Sequence, residues 1–307
     1  MQSNVFTAVL MPLALAVIML GLGLTLTLAD FKRVIVYPRA ILVGLGCQML
    51  VLPVACLLIA HAFSLPPELA VGLMLLAASP GGATANLFSH LARGDVALNI
   101  TLTAVNSALS LVTLPLIINL SLAHFMDEGR AVPMQFAKIV QVVLIVLGPV
   151  SLGMFIRSRS AAVAQRMDKP IRILSTLFLV AVIGASVYTE RANALSFFRQ
   201  VGPAALAFNL VSLAVGYFVP ILLRLPRRQA VAIGMEIGIH NGMLAIAIAL
   251  SPTLLANSTM AIPPAIYSLI MYFTAAAFGF YVSRRYADEQ DPAVHRTPTS
   301  LPEKVSR

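Results

Sequence analysis

The sequence predicts an all-α polytopic membrane protein, and three observations predict it. Hydrophobic residues fill 59% of the 307 positions and charged residues 11%, with a mean hydropathy of +0.90; an ordinary soluble domain carries about 25% charged residues. The apolar residues fall in long continuous runs, and the basic residues gather in alternate connections between those runs. A water-soluble globule is excluded. Alternating strands of about ten residues are absent from the pattern, which excludes an outer-membrane barrel. Cys47 and Cys56 stand in one apolar run and offer neither a disulfide framework nor a zinc site.

A bilayer crossing takes about 20 apolar residues, and nine runs of that order are bounded by charge or by Pro/Gly clusters. They cover about 5–28, 40–61, 68–91, 95–124, 135–156, 170–189, 200–223, 229–251 and 262–283. The first lacks a basic leader and a small-residue cleavage site and is too long for a signal segment, so it is expected to be a retained helix. The second lies between Arg39 and Leu65-Pro66-Pro67, and the third is interrupted at Ser79-Pro80-Gly81-Gly82. The fourth follows Gly94-Asp95, the fifth ends at Arg157, and the sixth opens at Lys169-Pro170 and closes at Glu190. The seventh ends at Arg224, the eighth runs from Arg227-Arg228 to Ser251-Pro252, and the ninth ends at Arg284-Arg285. Residues 287–307, with three acidic residues close together and no apolar periodicity, read as a disordered tail.

Nine crossings sort the 21 Lys and Arg residues into 17 on one side and 4 on the other. By the positive-inside rule the N terminus is outside and the C terminus cytoplasmic. The expected location is a bacterial inner (plasma) membrane. The net charge of +9 is therefore spread over cytoplasmic flanks, and no nucleic-acid partner is implied.

Eleven of the 12 acidic residues fall at helix ends, connections or the tail; Glu236 alone lies mid-crossing. A charge at that depth is costly and marks an ion or substrate pathway. Its surroundings, Gly234-Met235-Glu236-Ile237-Gly238-Ile239-His240-Asn241-Gly242, weaken the helix there. The third crossing breaks at Pro80-Gly81-Gly82, where proline removes a backbone donor. Two interrupted crossings, one in each half of the chain, are the mark of secondary transporters with inverted repeats. Asn99, Thr103 and Asn106 share one face of the fourth crossing, and Gln48 lies in the second. Each alone is more often an interhelical hydrogen bond. Together they place neutral oxygens around one carboxylate, which is what a small hard cation such as sodium needs. No Walker A motif is present, so an ion gradient is the implied energy source.

These residues resemble the bile acid:sodium symporter family, often named BASS, which includes bacterial homologues of the apical sodium-dependent bile acid transporter. The resemblance runs through Gly21-Leu22-Gly23-Leu24-Thr25, Asp30-Phe31, Gln48, Pro53, Pro80-Gly81-Gly82, Asn86, Gly94-Asp95, Leu98, Thr103, Glu236, Gly238 and Asn241. It implies a transmembrane domain over 1–286 holding two crossed, broken helices, the third and eighth. Core helices would cover about 40–124 and 200–283, and panel helices about 5–28 and 135–189. It further implies one sodium site at Asn86, Thr103 and Glu236, with Asn99 where the family usually has Ser. A second would use Gln48, Glu236 and the backbone oxygens of Ile237 and Ile239. Two positions depart from the family pattern: Ala85 replaces a small hydroxyl residue, and His240 replaces Gln. Both bear on sodium ligation.

The sequence is thus expected to encode a sodium-coupled organic-anion symporter working by alternating access, for a bile-acid-like steroid, pantoate or a similar carboxylate. Thr84, Asn241 and Gly242, with half-helix amides, would face the substrate carboxylate, since every Lys and Arg lies at a flank or loop. Proton-coupled or uncoupled transport and a channel are the alternatives. An intramembrane enzyme using Glu236 and His240 lacks a nucleophile motif. His61, His90 and His124 near crossing ends read as interfacial, and Met74, Met235, Met243 and Met271 as packing residues. Tyr267 and Tyr272 fit either substrate contact or an interhelical bond. Nothing in the sequence assigns an oligomeric state.

Overall fold

The computed structural model describes residues 5–126, 136–189, 194–251 and 254–289. Among these every regular element is helical, apart from one isolated β-bridge. The α-helices are α1 (Val5–Thr25), α2 (Leu28–Lys32), α3 (Pro38–Gly46), α4 (Leu52–Ala62), α5 (Pro67–Ala78), α6 (Ala83–Leu91) and α7 (Val96–Phe125). They continue as α8 (Phe136–Arg159), α9 (Ala161–Thr189), α10 (Ala194–Leu222), α11 (Arg227–Gly238), α12 (Gly242–Leu250) and α13 (Ile262–Glu289). A π-helical turn, Cys47–Val51, joins α3 to α4. Pro53 has no N–H to give Met49, and the widened turn absorbs that missing rung.

Among the described residues four continuous stretches are long and apolar enough to cross a bilayer: Pro38–Ala62, Val96–Phe125, Leu195–Leu222 and Thr259–Arg284. The interrupted segments are cut into shorter pieces. Helix α13 runs through Glu289, past the expected end of the membrane domain at 286, because the helical pattern carries on through the polar Arg284-Arg285 flank. Residues 290–307 of the expected tail lie outside the described residues.

The interrupted segments share one construction. Helices α5 and α11 each have 12 residues, and α6 and α12 each have 9. The corner before α5 is Ser64-Leu65-Pro66, with φ of 49° at Ser64; the corner before α11 is Arg224-Leu225-Pro226, with φ of 58° at Arg224. In each the Leu amide reaches back five residues, to Ala60 O at 3.0 Å and to Pro220 O at 2.9 Å. The proline then stands at the N-cap in extended conformation, with ψ of 146° at Pro66 and 141° at Pro226, and the next helix starts one residue on.

The corner before α11 lies beside the α6–α7 connection. Asp95 N donates to Arg228 O at 2.9 Å, and Arg39 Nη2 donates to Leu223 O at 2.6 Å. Three basic connections therefore meet at one end of the molecule. The corner before α5 follows the far end of α4, so the two interrupted segments enter from opposite ends. Helices α1, α8 and α9 pack together. Gly23 and Gly153 bring α1 and α8 into backbone contact: a Cβ on Gly153 would lie 2.7 Å from Leu24 N, and one on Gly23 would lie 2.8 Å from Val150 C. Small residues at such a seam let helix backbones touch.

Candidate functional site in the crossing of two broken helices

The breaks meet. Gly82 N donates to Ile239 O at 2.9 Å and Asn241 N donates to Pro80 O at 2.8 Å, so Gly81 and His240 face each other as an antiparallel bridge. Unwound backbone inside a bilayer must find partners, and each break supplies them to the other. The amide that would close a helical turn onto Ile237, that of Asn241, is thereby turned away to Pro80. Asn241 caps α12 instead, its Oδ1 accepting from Leu244 N at 3.0 Å.

Glu236 sits in the last turn of α11, 1% exposed. Thr103 Oγ1 donates to its Oε2 at 2.6 Å, and the carbonyl of Asn99 at 3.0 Å from the same hydroxyl is the alternative acceptor. A Cβ on Gly81 would collide with the Glu236 carboxyl group, so the carboxylate rests against the bare backbone of the third-crossing break. Asn99 Nδ2 donates to Ala232 O at 2.7 Å, one helical turn before Glu236. Gln48 Nε2 donates to Ala77 O and Ser79 O, both at 3.1 Å.

The amide nitrogens of Gln48 and Asn99 are thus committed to backbone carbonyls, and their oxygens are left over. Gln48 Oε1, Asn86 Oδ1, Asn99 Oδ1 and Glu236 Oε1 are all buried without a hydrogen-bond partner. Buried acceptors left unpaired cost about 1–3 kcal/mol each, so four of them need a partner. Among the described residues no three His, Cys, Asp or Glu side chains converge in the manner of a transition-metal cage. The donor set is oxygen, suited to a hard cation.

His240 Nδ1 lies 3.2 Å from Ser79 O, which sets the hydrogen on Nδ1 and leaves Nε2 as a buried lone pair without a partner. Its ring stacks on Phe208 at 5.6 Å and meets Tyr267 edge-on at 5.5 Å. Of the expected substrate-facing residues, Thr84 is half-buried just past the break, whereas Gly242 is buried. The Gly242 amide donates to His240 O at 3.0 Å, and its α-carbon is pressed against Ser268 of α13. Gly242 serves close packing there because any side chain would strike the Ser268 hydroxyl. Tyr267 is fully buried and its hydroxyl donates to Gly238 O at 3.0 Å, which makes it an interhelical residue. Tyr272 is 41% exposed and stacks on Phe88.

Two residues escape the sequence reading. Asn209 Nδ2 donates to Gly238 O at 3.0 Å, holding the end of α11 as Gln48 holds the end of α5, and in both cases the acceptor stands 29 residues on. Thr274 Oγ1 in turn donates to Asn209 Oδ1. Arg157 is the other. A narrow cleft of about 70 Å³ lies between α1, α7, α8 and α12, lined by Leu22, Leu26, Leu111, Val150 and Met154, with Pro80 beside it and the hydroxyls of Ser107 and Ser110 among its few polar groups. A second cleft shares Ser151 and Met154 with it and is lined by Thr27, Ser158 and the half-buried Arg157.

Two interrupted apolar helices that pair through their breaks around a buried carboxylate define a helical membrane protein of the transporter class. The chain belongs to the sodium bile acid symporter family, whose model matches residues 12–197. It is 28% identical over 277 residues to the uncharacterized sodium-dependent transporter YocS of Bacillus subtilis, covering 90% of this chain and 84% of that protein. It is 26% identical over 288 residues to the human ileal sodium/bile acid cotransporter, covering 92% and 82%. It is also 25% identical over 255 residues to the probable chloroplastic sodium/metabolite cotransporter BASS1 of Arabidopsis thaliana, covering 83% of this chain and 62% of that protein. These relatives are transporters, which sets the enzyme reading aside.

Proposed function

We propose that the chain is a secondary active transporter that couples sodium entry to the uptake of an organic anion by alternating access. The observation that carries this reading is the set of four unpaired, buried oxygens, on Gln48, Asn86, Asn99 and Glu236, beside two crossed helix breaks. Sodium needs several oxygens and one negative charge nearby to offset its dehydration. In this reading Glu236 anchors the ion, Thr103 orients the carboxylate, and Gln48, Asn86 and Asn99 complete its shell. Ile237 and Ile239 contribute backbone oxygens. The equal halves of the interrupted helices and their entry from opposite ends support an inverted repeat. Nine crossings, read with the positive-inside rule, favour basic connections in the cytoplasm and an N terminus outside.

The cleft favours an amphipathic anion over a small polar one. Its walls are mostly aliphatic, and at about 70 Å³ it must widen before a bile-acid-like body can enter, while Arg157 on the adjoining cleft offers a positive charge to the acidic end. Helices α1, α7, α8 and α12 all line the cleft, and in this reading α1 and α8 form one side and α7 and α12 the other. Relative movement of those sides opens it alternately. Calorimetric titration of the purified protein with sodium chloride, against potassium chloride, tests the ion site. Saturable heat is expected with sodium alone; equal responses to both salts would overturn the assignment.

A further inference from the structure

We propose that His61 and His124 form a binding site for a transition-metal dication of the Zn2+ or Ni2+ type, at the end of the molecule where α4 and α7 finish. The two residues are 63 positions apart in sequence, on different helices, yet their Nε2 atoms lie 2.7 Å from each other. The rings meet edge to face, with centroids 5.0 Å apart. Phe125 backs both, at 5.1 Å from His61 and 4.9 Å from His124.

A contact of that length needs one Nε2–H donating to the Nε2 lone pair of the other ring. Each ring has a second nitrogen, so the donor can move its hydrogen to Nδ1 and present a lone pair as well. Two Nε2 lone pairs then point at one place. Zinc takes nitrogen ligands at about 2.0–2.1 Å, so a tetrahedral pair parts by under about 1 Å from the present contact. Both histidines are exposed, which gives the rings that freedom and leaves water to fill the remaining positions.

The backbones beneath are fixed. Ala60 and Cys56 below His61, and Ser121 and Leu122 below His124, are all buried, and α4 and α7 both pack on α5. The site is therefore held in place before a metal arrives, and its imidazole donors select zinc, copper or nickel over magnesium or calcium. Bound metal ties the ends of α4 and α7 together. The inference is independent of the transport reading.

Calorimetric titration of the full chain in detergent with ZnCl2, and separately with MgCl2, tests it. One saturable zinc phase is expected, absent with magnesium, together with a rise of a few degrees in melting temperature. His61→Ala and His124→Ala should each weaken that phase at least tenfold, and the double variant should be no worse than either alone. His61→Asn keeps an amide partner for His124 but no imidazole, and should lose the metal while keeping the fold. His90→Ala, at an exposed histidine elsewhere, should leave the phase unchanged. Lack of saturable zinc binding by the wild type, or binding that survives both single variants, would overturn the proposal.

Discussion

Thr103 Oγ1 lies 2.6 Å from Glu236 Oε2, joining α7 to α11 across 133 residues of sequence, and it aims the carboxylate so that Oε1 stays unpaired. A hydrogen bond to a charged group contributes about 1.5–3 kcal/mol. Thr103→Val preserves shape and removes the donor. Sodium affinity should fall by about ten- to a hundredfold, at about 1.4 kcal/mol per tenfold. Sodium titration of the folded variant measures this, and an unchanged affinity would show that the bond does not orient the ion ligand.

The two glycines of the break should respond unequally. A methyl on Gly81 would strike the Glu236 carboxyl, whereas the nearest atoms to one on Gly82, His240 O and Thr84 Oγ1, lie at 3.5 Å. Gly81→Ala should abolish sodium-dependent uptake and Gly82→Ala should retain most of it. Similar losses in both would mean that the break matters only as a flexible hinge.

Asn209 and Tyr267 share one acceptor, Gly238 O, each at 3.0 Å. Tyr267→Phe leaves that carbonyl a donor and should cost about 1 kcal/mol. Asn209→Leu removes two hydrogen bonds, the one to Gly238 O and the one accepted from Thr274 Oγ1, whose hydroxyl falls back on Met271 O at 3.0 Å, and should cost about 2 kcal/mol. Melting temperatures of the two variants check the order. A larger loss for Tyr267→Phe would contradict the account of how α11 is terminated.

His240 presents a nitrogen lone pair where the family pattern has an amide oxygen, a poor match to sodium. Wild-type uptake should therefore rise with sodium at a Hill coefficient near one, and His240→Gln should raise it. Titrations at pH 5.5 and pH 8 add a second reading. If protons compete through this ring, apparent sodium affinity is weaker at the lower pH, and His240→Gln flattens the difference. A pH effect that survives the substitution would point to protonation of Glu236.

The apolar runs, the two breaks and the intramembrane carboxylate were legible because each is a local signal: run length, a Pro-Gly-Gly cluster, one acid without a flank. Asn209 was not, since a single Asn in an apolar run carries no mark of its partner. Its role shows only when the chain is compared with itself. Leu65-Pro66 with Ala70-Val71 recurs as Leu225-Pro226 with Ala230-Val231, a shift of 160 residues. Near that shift Gln48 falls opposite Asn209. Arg157 reads as an ordinary basic flank until the packing of α1 on α8 places it at a cleft mouth. The roles of Gly242 and Tyr267 depend on where α13 lies, which spacing along the chain does not encode.

The central claim is that the crossing couples sodium to solute movement through Glu236, and driven accumulation in reconstituted vesicles tests it most directly. Labelled taurocholate is offered to vesicles holding the wild type or Glu236→Gln, under an inward sodium gradient or an equal potassium gradient. The account predicts accumulation above the external concentration for the wild type with sodium only, and none for Glu236→Gln in either salt. Sodium-driven accumulation by Glu236→Gln equal to the wild type would contradict it.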